Sequence, residues 1–127
     1  MELWAKIGDE KVKLQGSMLG VMEQVLQKAK EKGGEVQLLS FHAGQKERRR
    51  LKRELRAANK NLVEAARNYV RWAYQIEARK LRRQIKELKK KERVNSKGIR
   101  FLPKGVQKRI EELEAKLSEV NEKLATL

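Results

Sequence analysis

The chain has 127 residues, of which 39% are charged and only six are aromatic, and it contains no cysteine. A disulfide framework and thiolate metal sites are thereby excluded, and no apolar run reaches the ~18–20 residues of a membrane-spanning helix. The formal net charge is +15, and residues 45–100 carry all of it, with 21 Lys/Arg against 6 Glu, while both flanks are neutral. A positive potential concentrated in this way attracts polyanions.

Residues 2–7 and 11–15 alternate apolar and polar side chains around Gly8-Asp9-Glu10, which predicts a β-hairpin. Ser17 is placed to cap a helix running to about Lys32, with Met18, Val21, Met22, Val25, Leu26 and Ala29 on one face and Gly33-Gly34 as its stop. Residues 35–41 alternate again and predict a third strand. The result is a ββαβ unit over residues 1–42, small enough that it must lean on the rest of the chain or on a partner.

From about Gln45 to Arg93 there is no Pro, no Gly and no turn cluster, which predicts one very long basic helix of roughly 73 Å. Residues 94–105 read as a turn, punctuated by Asn95, Gly98, Pro103 and Gly105. A last helix over 106–127 repeats Val106, Ile110, Leu113, Leu117, Val120, Leu124 and Leu127 at alternating spacings of 4 and 3. Walking back across the turn, Leu88, Ile85, Leu81, Ala78 and Tyr74 match that seam. The expected fold is therefore mostly α (α+β): a small N-terminal ββαβ unit, then a helical hairpin over 43–127 closed as an antiparallel coiled coil. A coil with a second copy of the chain is the rival arrangement.

On a single straight helix, Arg49, Arg53, Arg56, Lys60, Arg67 and Arg71 fall along one line with no acid among them. They lie opposite an apolar stripe of Leu51, Leu55, Ala58, Leu62, Ala65, Tyr69, Trp72 and Ile76. Arg48, Arg50 and Lys52 complete a stretch that resembles an arginine-rich RNA-binding segment or a nuclear localisation signal. A second cluster, Arg79, Arg82, Arg83, Lys86, Lys89, Lys90 and Arg93, flanks the coiled-coil seam. Helix faces ordinarily mix signs, with Glu supporting Lys four residues on, so an unbroken cationic line points to an anionic partner.

The expected function is non-enzymatic binding of nucleic acid through these phosphate contacts, the Arg-rich proximal segment being suited to fork onto phosphate and stack on bases, with RNA slightly favoured over DNA because Arg-rich helices can enter structured RNA grooves. The alternative is a structural or adaptor subunit of a larger ribonucleoprotein or protein assembly. Its partners would then be other protein subunits or a second copy of the chain, docked through the helices. A membrane partner is not expected, since the basic line is backed by a stripe that packing would consume.

No catalytic residue is assigned. His42 is the only histidine, Asp9 is the only Asp and sits in a turn, and Gly33-Gly34 follows a helix instead of preceding one. No metal site and no cofactor are expected. Tyr69, Trp72 and Tyr74 are expected to pack inside, with Trp4 the better candidate for exposure. The first ten residues lack the order of a signal peptide, so a cytoplasmic location is expected, or a nuclear one in a eukaryote.

Overall fold

The computed structural model describes residues 1–127 and shows a mixed fold, a small β-sheet unit with several packed helices. Three strands, β1 (Glu2–Ile7), β2 (Glu10–Gln15) and β3 (Val36–His42), form an antiparallel sheet in the order β2-β1-β3, with α1 (Met18–Lys32) between β2 and β3 in sequence. The β1–β2 connection is a two-residue turn, since Ile7 pairs with Glu10. Gly8 takes φ 61 at its first position, where a side chain would be strained.

Alternation along β1 sends Leu3, Ala5 and Ile7 inward, where they bury with Leu14, Val36 and the Met18, Val21, Met22 and Val25 face of α1. Ser17 caps α1 as its sequence position implies, its Oγ accepting from the Gly20 N–H at 3.1 Å. Gly33 ends the helix in the left-handed region at φ 60. A bulge at Trp4/Ala5 shifts the β1–β3 register past Leu39.

The expected single helix over 45–93 is two helices, α2 (Gln45–Ala57) and α3 (Leu62–Lys89). The chain turns at 58–61 without Gly or Pro because two asparagines do their work. Asn59 and Lys60 adopt φ 51 and 66. The Lys60 N–H reaches back to the Leu55 carbonyl at 2.7 Å, and the Asn59 N–H to that of Arg56 at 3.3 Å. These two bonds make a Schellman ending, and Asn is the residue other than Gly that best tolerates its left-handed position. Asn61 then opens α3, its Oδ1 accepting from the Glu64 N–H at 3.0 Å.

The chain divides into two compact units, Met1–Ala73 and Tyr74–Leu127, the division falling within α3. In the first unit, Leu51 of α2, Ala58 of the turn, and Leu62, Ala65, Ala66 and Val70 of α3 are buried. In the second, β4 (Arg93–Val94) and β5 (Arg100–Phe101) form a short antiparallel hairpin within the expected turn, followed by α4 (Lys104–Ala125). Leu81 and Ile85 of α3 bury against Ile110 and Leu113 of α4, with Leu88, Val106, Leu117 and Val120 packed around them. The pairing is antiparallel: Lys123 lies over Tyr74, while Lys89 meets Glu114 at 3.8 Å.

Of the apolar positions expected to be buried on α3, Leu62, Ala65, Tyr74, Ala78, Leu81 and Ile85 are, whereas Tyr69 is half-buried and Trp72 and Ile76 are exposed. No helix is long and apolar enough to cross a membrane.

Candidate nucleic-acid interface

Thirteen residues of α2 carry seven cations and two acids. Leu51 is buried and Leu55 half-buried, which fixes the helix's rotation, and that rotation decides which charges meet water. Lys46, Arg48, Arg49, Lys52, Arg53 and Arg56 are exposed, whereas both acids, Glu47 and Glu54, are half-buried. The solvent face of α2 is thus a cationic surface without a single acid.

Arg50 is the one cation of α2 that turns inward. Its Nε donates to Glu54 Oε1 at 3.0 Å, and its guanidinium lies 3.8 Å from the Trp72 ring centroid and 5.6 Å from that of Tyr69. Stacked and paired in this way it clamps α2 to α3. Tyr69 sits in the same cluster, its ring centroid 5.7 Å from that of Trp72. Burial raises its phenol pKa above the ordinary value and the Arg50 charge opposes that, while Glu47 and Glu54 add to the rise.

The break at 58–61 redistributes the expected cationic line. Arg49, Arg53 and Arg56 remain on one face of α2, Lys60 moves into the turn, and Arg67 and Arg71 lie on α3. The six residues therefore do not form one straight row along a single helix. Arg71 is half-buried, with Nη1 donating to Asn68 Oδ1 at 3.3 Å. What the turn brings together instead is Lys52, Arg56 and Lys60. They line one wall of an open cleft of about 940 Å³, whose other wall is the stretch from Gly34 to Leu38 at the start of edge strand β3. Asn59 and Asn61 lie at the same wall, and Glu35 is the only acid of the lining.

In the second unit Arg79, Lys80, Arg82, Arg83, Lys86, Lys89, Lys90 and Arg93 are all exposed. Two of them have acidic partners, Lys89 with Glu114 at 3.8 Å and Lys90 with Glu87 at 3.2 Å. Both pairs are solvent-exposed and hold their cations weakly. Lys80, Lys46 and the β4–β5 residues Lys97 and Arg100 were absent from the sequence-based set. Their exposure beside the assigned cations adds them, and charge alone would have sufficed to include them. Trp4 is exposed on the outer face of the sheet, as expected, with Lys13 Nζ 5.7 Å from its ring centroid. Trp72 departs from expectation at 41% exposure, one ring face covered by Arg50.

No three His, Asp or Glu side chains converge in metal-binding geometry. An uncharacterized protein of Aquifex aeolicus (strain VF5) is 48% identical to this chain over 128 residues, covering 100% of this chain and 98% of its own. No protein-family model matches the chain, and no solved structure matches it.

Proposed function

We propose that this chain, which belongs to the same family as the Aquifex aeolicus protein, is a non-enzymatic cytoplasmic protein that binds nucleic acid by gripping its phosphates with helical cations. The observation that carries this reading is the segregation of charge on α2, six exposed cations with both acids turned inward. Like charges three or four residues apart on a helix destabilise it by roughly 0.2–0.5 kcal/mol per pair. Arg49–Arg53, Arg49–Lys52, Lys52–Arg56 and Arg53–Arg56 are such pairs, and no acid on that face relieves them. A chain of phosphates does. The cleft beside Lys52, Arg56 and Lys60 offers a concave path in which three cations follow one backbone, and the edge of β3 leaves peptide groups open along its other side.

Arg48, Arg49, Arg53 and Arg56 outnumber Lys46 and Lys52 on this face, which favours bidentate phosphate contact and base stacking, and RNA is favoured over DNA because an Arg-rich helix can enter the grooves of structured RNA. Nothing in the cationic surface selects bases, so affinity depends on salt more than on sequence. The second unit belongs to the same reading as a short antiparallel coiled coil of α3 and α4 that carries its own cations. Its alternating 4 and 3 spacing and the buried Leu81, Ile85, Ile110 and Leu113 support that description. An adaptor docked through these heptads is less well supported, because the seam residues are buried against one another.

The test is Lys52→Gln/Arg56→Gln/Lys60→Gln. Removing three phosphate contacts flattens the dependence of log K on log salt by about 2–3. An unchanged slope in the triple variant overturns the cleft as the phosphate path.

A further inference from the structure

Seven large hydrophobic side chains stand exposed in this chain, and three of them, Val94 at 63%, Ile99 at 57% and Phe101 at 42%, crowd into the β4–β5 hairpin. Single exposed apolar residues are ordinary, but a cluster on one turn marks a contact surface. The turn is internally braced. The Asn95 N–H donates to the Ile99 carbonyl at 3.0 Å, and the Gly98 N–H donates to the Asn95 carbonyl at 3.0 Å. Asn95 Oδ1 accepts from the Lys97 and Ile99 N–H groups at 2.9 and 3.0 Å, while Gly98 supplies the φ of 76 that the turn requires.

Phe101 stands opposite Arg93 and Val94 opposite Arg100, so the two-residue period puts Ile99 on the face of Phe101. Arg93 shares that face, Arg100 lies on the other, and Lys91 and Lys97 stand at the two ends of β4–β5; all four cations are exposed, and none has an acid within ion-pair distance. Glu92 is the only acid between Lys89 and Lys104. Apolar groups flanked by cations complement a polymer whose charged backbone runs beside flat apolar rings. Nucleic acid has that pattern: apolar side chains enter between bases while cations hold the flanking phosphates. A lipid surface is the poorer match, because the three side chains divide between two faces of a ribbon and form no broad apolar face to insert.

We propose that the β4–β5 hairpin is a nucleic-acid wedge, in which Phe101 and Ile99 pack on an unstacked base while Arg93, Lys97 and Arg100 hold the adjoining phosphates. The proposal rests on the nucleic-acid reading above and adds a target class to it, namely bases in loops, in bulges or at easily opened steps. It is tested with the full chain and its Ile99→Ser/Phe101→Ser variant, which keeps every cation and, because both side chains are exposed, the fold, as circular dichroism will register. The probes are an RNA hairpin with 2-aminopurine in its loop and a fully paired RNA duplex of equal length, with phosphatidylserine vesicles alongside.

The wild type is expected to change the 2-aminopurine fluorescence and to prefer the loop RNA by roughly 10-fold. The variant is expected to keep the salt slope while losing both the preference and the fluorescence change. If the wild type binds RNA without a fluorescence change and the variant matches its affinity for both probes, the wedge is overturned and the phosphate-binding reading stands. If the wild type binds neither RNA, both are overturned. Vesicle binding that the variant loses, with no change in 2-aminopurine, assigns the hairpin to lipid and overturns the wedge.

Discussion

Leu113→Ala tests the packing that holds the second unit together. Leu113 is 2% exposed and shares its cluster with Leu81, Ile85 and Ile110. Truncation removes three carbons at ~0.8 kcal/mol each, or about 2.4 kcal/mol of transfer free energy. The cavity left behind adds to this, and buried Leu→Ala changes span about 2.7–5.0 kcal/mol. The cluster lies between only two helices, which can close part of the gap, so the expected loss is near the lower end, about 3 kcal/mol. Urea unfolding followed by circular dichroism measures it. With a slope of about 1–2 kcal/mol per molar, the midpoint of the affected transition falls by roughly 1.5–3 M. Hydrogen exchange places the loss: amides of residues 78–88 and 106–120 lose protection, while those of β1 and α1 keep theirs. Glu114→Gln is the control, since the Lys89–Glu114 pair has more than half of each side chain exposed and contributes under ~0.5 kcal/mol. If Leu113→Ala costs no more than Glu114→Gln, the packing argument is refuted.

Asn61→Ala removes the side-chain cap of α3 and is expected to lower stability by about 1 kcal/mol in the same urea assay, whereas Asn61→Ser restores most of it. No loss on Asn61→Ala would mean that the turn is held by other contacts. Asn59→Gly releases a left-handed non-glycine residue at φ 51 and is expected to leave stability equal or higher, while Asn59→Val, whose branched side chain resists that φ, lowers it. The reverse order would show that residues 58–61 do not turn as described. Tyr69 has a folded-state pKa above its unfolded value near 10. Its contribution to stability is therefore complete below about pH 10 and is lost as pH rises through the folded pKa. Ultraviolet titration of the phenolate reads this, and Arg50→Gln is expected to move the transition higher still, because the Arg50 charge favours the phenolate. A downward shift would contradict the placement of Arg50 beside the ring.

The N-terminal sheet was legible because its signals are local: alternation in 2–7, 11–15 and 35–41, Ser17 at a cap, Gly8 and Gly33 at turns. The packing of α3 on α4 was legible for the same reason, since Leu81 and Ile85, four residues apart, and Ile110 and Leu113, three apart, keep helical spacing. The corner at 58–61 was not, because Asn59 stands where glycine usually announces a stop. Its one advance signal is the Asn61-Leu62-Val63-Glu64 sequence, an N-cap followed three residues later by Glu. The same corner breaks the cationic line, because helical phase does not survive a turn. The inward rotation of Arg50 was invisible for a different reason. It depends on Tyr69 and Trp72 arriving from α3, a tertiary contact that charge patterning does not contain. The exposure of Ile99 and Phe101 likewise depends on nothing folding over them.

The exposed cationic face of α2 is expected to bind polyanions. Fluorescence anisotropy of the nucleic-acid-free chain with labelled single- and double-stranded RNA and DNA, at about 50 and 200 mM salt, tests it directly. Binding of all four at low salt is expected, RNA tightest, with affinity falling by about 10³ or more between the two salts if the six exposed cations of α2 all meet phosphates. No binding at 50 mM salt, or binding indifferent to salt, would contradict the account.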